Sequence, residues 1–65
     1  MKNHKCPPFI IEVYYNKKIV DSFYASHKEK AICHLASLKR FLPYHIVKYR
    51  RVKSSEKYNI NIPTI

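Results

Sequence analysis

Glycine is absent from this 65-residue chain, which excludes the phosphate-cradling loops of P-loop and dinucleotide-binding proteins, where backbone must approach the ligand without a Cβ in the way. The same absence weakens any tight hairpin, because primed turns favour glycine. Acids are scarce and scattered: Glu12, Asp21, Glu29 and Glu56 are the whole set, so paired-carboxylate chemistry has no candidate. Two cysteines, Cys6 and Cys33, could close one bridge at most, unlike the several of secreted mini-proteins, so free thiols are expected. No apolar run approaches the roughly 18 to 20 residues that cross a bilayer, and no apolar segment of the leader-peptide kind follows the basic N-terminus. A soluble, cytoplasmic protein with no membrane partner is the expectation.

What is abundant is positive charge and aromatic surface. Thirteen Lys and Arg give a formal net charge of +9, and residues 28–57 alone hold a net +7. A field of that sign draws phosphates, anionic lipid or an acidic protein surface, and speeds encounter with any of them. Hydrophobic residues make up 46% of the chain, with six Tyr and three Phe, which separates it from charged disordered tails. At this length the expectation is one domain with one thin core and no deep catalytic cavity.

The pattern along the chain predicts a small α+β domain. Met1 to Pro8 is polar, ends in a Pro pair, and reads as an extended N-terminal arm. "FIIEVYYNKKIVDSFYA" gives two β-branched and aromatic runs around the polar Asn16-Lys17-Lys18, a β-hairpin signal in which Asn16 is the candidate for left-handed backbone. "SHKE" places Ser26 and Glu29 at capping-box spacing, so a helix is expected to start there. Ala31, Leu35, Leu38 and Leu42 then form one apolar stripe, while Cys33 falls on the exposed side and His34 on a flank that meets the sheet edge. Pro43 ends the helix at about Leu42. "YHIVKYRRVK" follows as a third strand, and β-β-α-β order lets the helix cover one face of a three-stranded antiparallel-type sheet, the other face staying wet. Alternation leaves the inward side of this strand open between Tyr44 and Ile46 on one face and Val47 and Tyr49 on the other. Residues 9–53 thus form the domain. Residues 54–65 are either a tail or an added edge strand, with Tyr58, Ile60 and Ile62 in alternation until Pro63.

No enzyme chemistry stands out. His4, Cys6, Cys33 and His34 do not make a metal site, because neighbours on a helix point about 100° apart and neither C-x-x-C nor H-x-x-x-H spacing occurs. A Cys-His nucleophile pair lacks an orienting third group. Neither a cofactor nor a metal is expected. The strongest constellation is the basic and aromatic third strand, with Tyr44, Lys48, Tyr49, Arg50, Arg51 and Lys53 beside Tyr14, Tyr15 and Tyr24 on its neighbours. Cations neutralise phosphates and exposed rings stack on unpaired bases; Arg and Tyr are also the side chains most enriched at protein interface hot spots. The plainer account has half-buried sheet tyrosines and cations that keep a small protein soluble.

The element order and the segment "YASHKEKAICHLASLKRFLPYHIVKYR", Tyr24 to Arg50, resemble the T7-type phage inhibitors of host bacterial RNA polymerase, which run hairpin, helix and final strand. Shared features are the Tyr24-Ala25 strand end, the acid at Glu29, Ala31 in the first helical turn, and the aromatic Tyr44 opening the last strand. In that family two arginines of the final strand carry polymerase binding and fall here on Lys48 and Arg50, the first kept only as a charge; an acid of its first strand falls on Glu12. The resemblance implies a phage-type effector that blocks a host machine in the bacterial cytoplasm.

Two functional expectations follow. In one, a non-enzymatic monomer or weak dimer docks Lys48, Arg50, Arg51 and Lys53, with Tyr44, Tyr49 and Glu12, on an acidic or nucleic-acid-binding surface of RNA polymerase or another nucleic-acid-handling protein. In the other, the same residues contact nucleic acid phosphates directly, as in a small regulator.

Overall fold

The computed structural model describes residues 6–65; Met1 to Lys5 of the expected arm, with His4, lie outside the described residues. Two runs of β-branched and aromatic residues form β1, Phe9–Tyr15, and β2, Lys18–Ala25. They are joined through Asn16 and Lys17 at φ 52° and 65°. Positive φ at both central residues is what a type I′ hairpin turn requires, and it matches the right-handed twist of the strands it joins. Asn16 adopts the left-handed backbone expected of it; Lys17 does so too, although its side chain gives no such preference. Between the pairs Val13↔Asp21 and Tyr14↔Ile19 the register slips by one, leaving Val20 as the extra residue of a bulge.

The helix α1 runs Lys28–Phe41, and β3 runs Ile46–Arg51. The sheet order is β2-β1-β3 with both pairings antiparallel, so the first strand is central and the third lies at an edge. The fold is the small α+β arrangement expected from the sequence. Ile11, Val13, Ala25, Ala31 and Val47 are the buried core, with Leu35, Leu38, Leu42 and Tyr49 packed against it. The helical stripe and the inner sheet face therefore meet as their 3.6 and 2 periodicities demand. Val47 and Tyr49 are the inward side of β3, which puts Ile46, Lys48 and Arg50 on the opposite face.

The start of α1 differs from the expected capping box. His27 is the N-cap, its backbone extended at φ −136° and ψ 149°, and no side chain caps the helix. The His27 carbonyl accepts from Ala31 N–H at 3.1 Å. Starting one residue later moves Ser26 outside the cap and Glu29 to the second helical position, so the reciprocal bonds of the box have lost their spacing. Glu29 keeps a favourable place near the helix N-terminus, and Lys39 and Arg40 lie in the last turn beside its carbonyls. Leu42 N–H, donating to Leu38 O at 2.8 Å, closes the helix just before Pro43.

The second sheet face does not stay wet. Residues 53–65 cross it as a strap, and Ile10 and Tyr24 beneath are buried. The strap opens with a turn in which Glu56 N–H donates to Lys53 O and Lys53 N–H donates to Glu56 Oε1 at 2.7 Å. The Tyr58 ring lies 5.4 Å from that of Tyr24, and Asn59 N–H donates to the Tyr24 hydroxyl at 3.1 Å. Tyr58 to Ile62 is not an edge strand: Asn59 Oδ1 accepts from Asn61 N–H at 2.9 Å and Asn59 O from Ile62 N–H at 3.1 Å. The asparagine's turn chemistry prevails over the alternation around it. The pairing falls further on, where Tyr24 N–H donates to Pro63 O at 2.7 Å and Ile65 N–H to Tyr24 O at 2.8 Å, a parallel bridge on the outer edge of β2. Ile65 then packs against the core on the helix side.

Candidate functional site

The strand pairing divides the basic constellation between two faces and gives its members different work. Arg50 stands opposite Ile10 on the strap side of the sheet. Its Nε donates to Glu12 Oε1 at 3.2 Å, and its terminal nitrogens reach the two Glu56 oxygens at 2.6 and 3.0 Å. Glu12 is only 9% exposed and also accepts from the Tyr14 hydroxyl at 3.4 Å. A carboxylate that secluded needs compensation, and Arg50 supplies it while tying the strap to the sheet. The fork of hydrogen bonds to Glu56 and Glu12 holds the guanidinium pKa above its usual range. The same contact, with the Lys53 amide, holds the Glu56 carboxyl down at about 2. Burial pushes the Tyr24 phenol up from its ordinary value.

The other sequence-derived candidates are placed as follows. Lys48, opposite Glu12, sets its ammonium 5.7 Å from the centre of the Tyr14 ring. Arg51 belongs to the helix-side face, its guanidinium 5.3 Å from the centre of the Phe9 ring. Lys53 is exposed and contributes a backbone bond to the strap. Tyr49 packs on the core, 6.3 Å from Phe9 between ring centres, whereas Tyr44 is 87% exposed. Lys48, Arg51, Lys53 and Tyr44 are thus turned to solvent at least in part, while Arg50, Glu12 and Tyr49 are engaged within the fold. His34 meets Phe23 of the edge strand edge-on at 4.8 Å, and Cys33 is exposed and free, both as expected.

A second grouping emerges at the hairpin end of the sheet. The register brings Tyr14 opposite both Ile19 and Ile46, and the Tyr15 ring lies 4.7 Å from His45, joining the hairpin tip to the loop after α1. Phe41, the last residue of α1, and Tyr44 of that loop are 81% and 87% exposed. The hairpin carries Lys17 in its turn and Lys18 at the start of β2, the last helical turn carries Lys39 and Arg40, and β3 carries Lys48, opposite Glu12. None of the four acids lies within 14–19 or 39–48. Lys39, Leu42, Pro43, His45, Ile46, Val47 and Lys48 line a groove of about 540 Å³. Phe41 escaped the sequence reading because it lies three residues after Leu38, at helical spacing, and passes for a member of the apolar stripe, yet at the end of α1 it is exposed.

Among the described residues no three His, Cys, Asp or Glu side chains are grouped to hold a metal ion, and no helix is long and apolar enough to cross a membrane. Compared with known proteins, the chain matches no family model, no curated protein and no solved structure.

Proposed function

We propose that this chain is a small non-enzymatic effector that binds a larger protein through an acidic surface of that partner, in the manner of an inhibitor of a host nucleic-acid-handling machine such as RNA polymerase. The observation that supports this reading best is the α1–β3 end of the fold, where Phe41 and Tyr44 are 81% and 87% exposed and the sequence from Lys39 to Lys48 carries three cations and no acid. Apolar surface flanked by charge of one sign suits a partner with apolar anchors set in acidic surroundings. Large exposed side chains of this kind are costly to a monomer and useful at an interface. Ile46, 59% exposed in the same region, adds aliphatic surface that suits a protein better than a nucleic acid base.

The docking residues then shift from the middle of β3 toward its start. Lys48 and Tyr44 stay, joined by Lys39, Arg40 and Phe41, and Arg50 becomes an internal clamp. The test is retention of a stoichiometric protein partner from nuclease-treated bacterial lysate in moderate salt, compared with binding to mixed single- and double-stranded oligonucleotides at two salt concentrations. Partner retention that is lost in a Lys39→Glu, Arg40→Glu, Lys48→Glu variant supports the proposal. Tight, salt-steep oligonucleotide binding without a protein partner replaces it with direct phosphate recognition.

A further inference from the structure

Pairing across the three strands arranges the strap side of the sheet in rows. Arg50, Ile10 and Tyr24 form one, Lys48, Glu12 and Ser22 the next, and Ile46, Tyr14 and Ile19 the third, at the hairpin end. Residues directly opposite in a ladder share a face, and the bulge at Val20 is what sets Ile19 opposite Tyr14. The strap bonds to the first row, at Arg50 and Tyr24. The third row is left open: Ile46 and Ile19 are 59% and 51% exposed on either side of the half-buried Tyr14.

The charges beside the strap are already balanced. Arg50 is paired with Glu12 and Glu56, and Lys48 stands opposite Glu12 with its ammonium toward the Tyr14 ring. Lys17, in the hairpin turn, and Lys18, which precedes Ile19 and stands opposite Tyr15, have no acid opposite them and are exposed. An apolar row that ends beside two such cations suits an occupant with apolar residues on one side and acids next to them. A second copy of this chain is a poor one, because its net charge of +9 repels its like.

The spacing of the row selects the form of that occupant. Neighbouring strands lie about 4.8 Å apart, so three side chains in a row span about 10 Å. One turn of an α-helix rises about 5.4 Å, and residues i, i+4 and i+7 on one helix face span about 10 Å as well. A helix laid across the strands therefore meets all three residues at once, and the sheet gains a helix on its second face.

We infer that the Ile46–Tyr14–Ile19 row receives an amphipathic acidic helix of a protein partner, laid across the three strands with its carboxylates toward Lys17 and Lys18. This rests on the protein-binding reading above and adds the form of the partner's contact. The Tyr15 ring against His45 makes the row continuous with the loop that carries Tyr44.

The experiment is an NMR titration of the full chain with a blocked helical peptide that carries Leu at i, i+4 and i+7 and Glu along one flank, and with its Lys-for-Glu counterpart. It is repeated on an Ile19→Thr, Ile46→Thr variant and, as the control, on an Ile32→Thr, Ile60→Thr variant. Threonine keeps the β-branched shape that strands favour, and Ile32 and Ile60 are exposed isoleucines of α1 and the strap. The expected result is amide shifts centred on Tyr14, Ile19 and Ile46 with the acidic peptide, at least tenfold weaker binding by the Ile19→Thr, Ile46→Thr chain, unchanged binding by the control, and no binding of the basic peptide. Failure of the acidic peptide to bind, shifts centred elsewhere, or equal losses in the two variants overturn helix docking. If the parent and Ile19→Thr, Ile46→Thr chains retain the same partner equally from nuclease-treated bacterial lysate, helix docking fails and the broader reading stands. If the parent chain retains none, and a mixed-sequence oligonucleotide or phosphatidylglycerol vesicles shift the same residues, both are overturned.

Discussion

Arg50 and Glu56, six residues apart in sequence, meet through two hydrogen bonds of 2.6 and 3.0 Å across the face of the sheet that the helix does not cover. Through Glu12 the same guanidinium also reaches the central strand. Part of the charge that makes β3 look like a docking strand is therefore spent inside the molecule. Arg50→Ala should lower stability by about 2 kcal/mol, because it leaves the nearly buried Glu12 carboxylate without its cation. In a double-mutant cycle with Glu12→Gln the two losses should be far from additive, since both remove one contact. Additive losses in urea denaturation would mean that the pair does not couple.

Glu56 makes the strap sensitive to acid. Its carboxyl titrates near 4.5 when free and near 2 in the fold, lowered chiefly by the Arg50 hydrogen bonds. A depressed folded value contributes stability that is present in full above the unfolded value and disappears as pH falls through the folded one. Hydrogen exchange at Lys53 and Asn59 should therefore accelerate between about pH 4.5 and pH 2, beyond the intrinsic pH dependence of exchange. In Glu56→Gln that added acid dependence should vanish, and exchange at neutral pH should already be faster than in the parent chain. A strap equally protected at pH 5 and pH 2.5 would show that the pair does not hold it down.

Lys17 bears a conformational cost that the hairpin could lose. At φ 65° a residue with a Cβ is disfavoured, whereas glycine is not, and Asn-Gly is the favoured pair for this turn. Lys17→Gly should raise stability by about 0.5–1 kcal/mol, read as a higher denaturation midpoint with an unchanged slope. A loss of stability would mean that unfolded-state entropy outweighs relief of the backbone.

The fold was legible where burial is periodic. Ala31, Leu35, Leu38 and Leu42 repeat at helical spacing, and the two β-branched and aromatic runs around Asn16 mark the hairpin, whereas the unbroken Phe9-Ile10-Ile11 run does not choose between the faces of β1. The strap was not legible, because the alternation of Tyr58, Ile60 and Ile62 points to a strand that the turn at Asn59 prevents, and the contacts of Glu56, Tyr58 and Asn59 depend on where β2 and β3 lie after folding. Separation of Arg50 from Lys48 has the same origin. Both are cations of one strand face, and only the register against β1 sets the first beside a carboxylate that the strap also approaches. The capping box failed more simply, by a single-residue shift of the helix start to His27. The α1–β3 end could have been suspected from the acid-free composition of 39–48, but not the exposure of Phe41, which at helical spacing from Leu38 passes for a core residue.

Tyr44 and Tyr49, five residues apart in the same basic segment, should respond oppositely to truncation. Tyr44 is 87% exposed and touches no core residue, while Tyr49 packs on the core beside Phe9. Tyr44→Ala should leave stability within about 0.5 kcal/mol of the parent chain, yet weaken association with the captured protein partner by about 2 kcal/mol, as expected of an aromatic anchor at an interface. Tyr49→Ala should cost about 2–3 kcal/mol of folding stability through the cavity it leaves. At temperatures where it remains folded, its partner affinity should fall less than that of Tyr44→Ala. Thermal denaturation of both variants, paired with a binding isotherm at fixed salt, separates the two effects. If Tyr44→Ala bound as tightly as the parent chain, the exposed rings at this end would have no share in recognition, and the search for the contact would move back along β3 to Arg51 and Lys53.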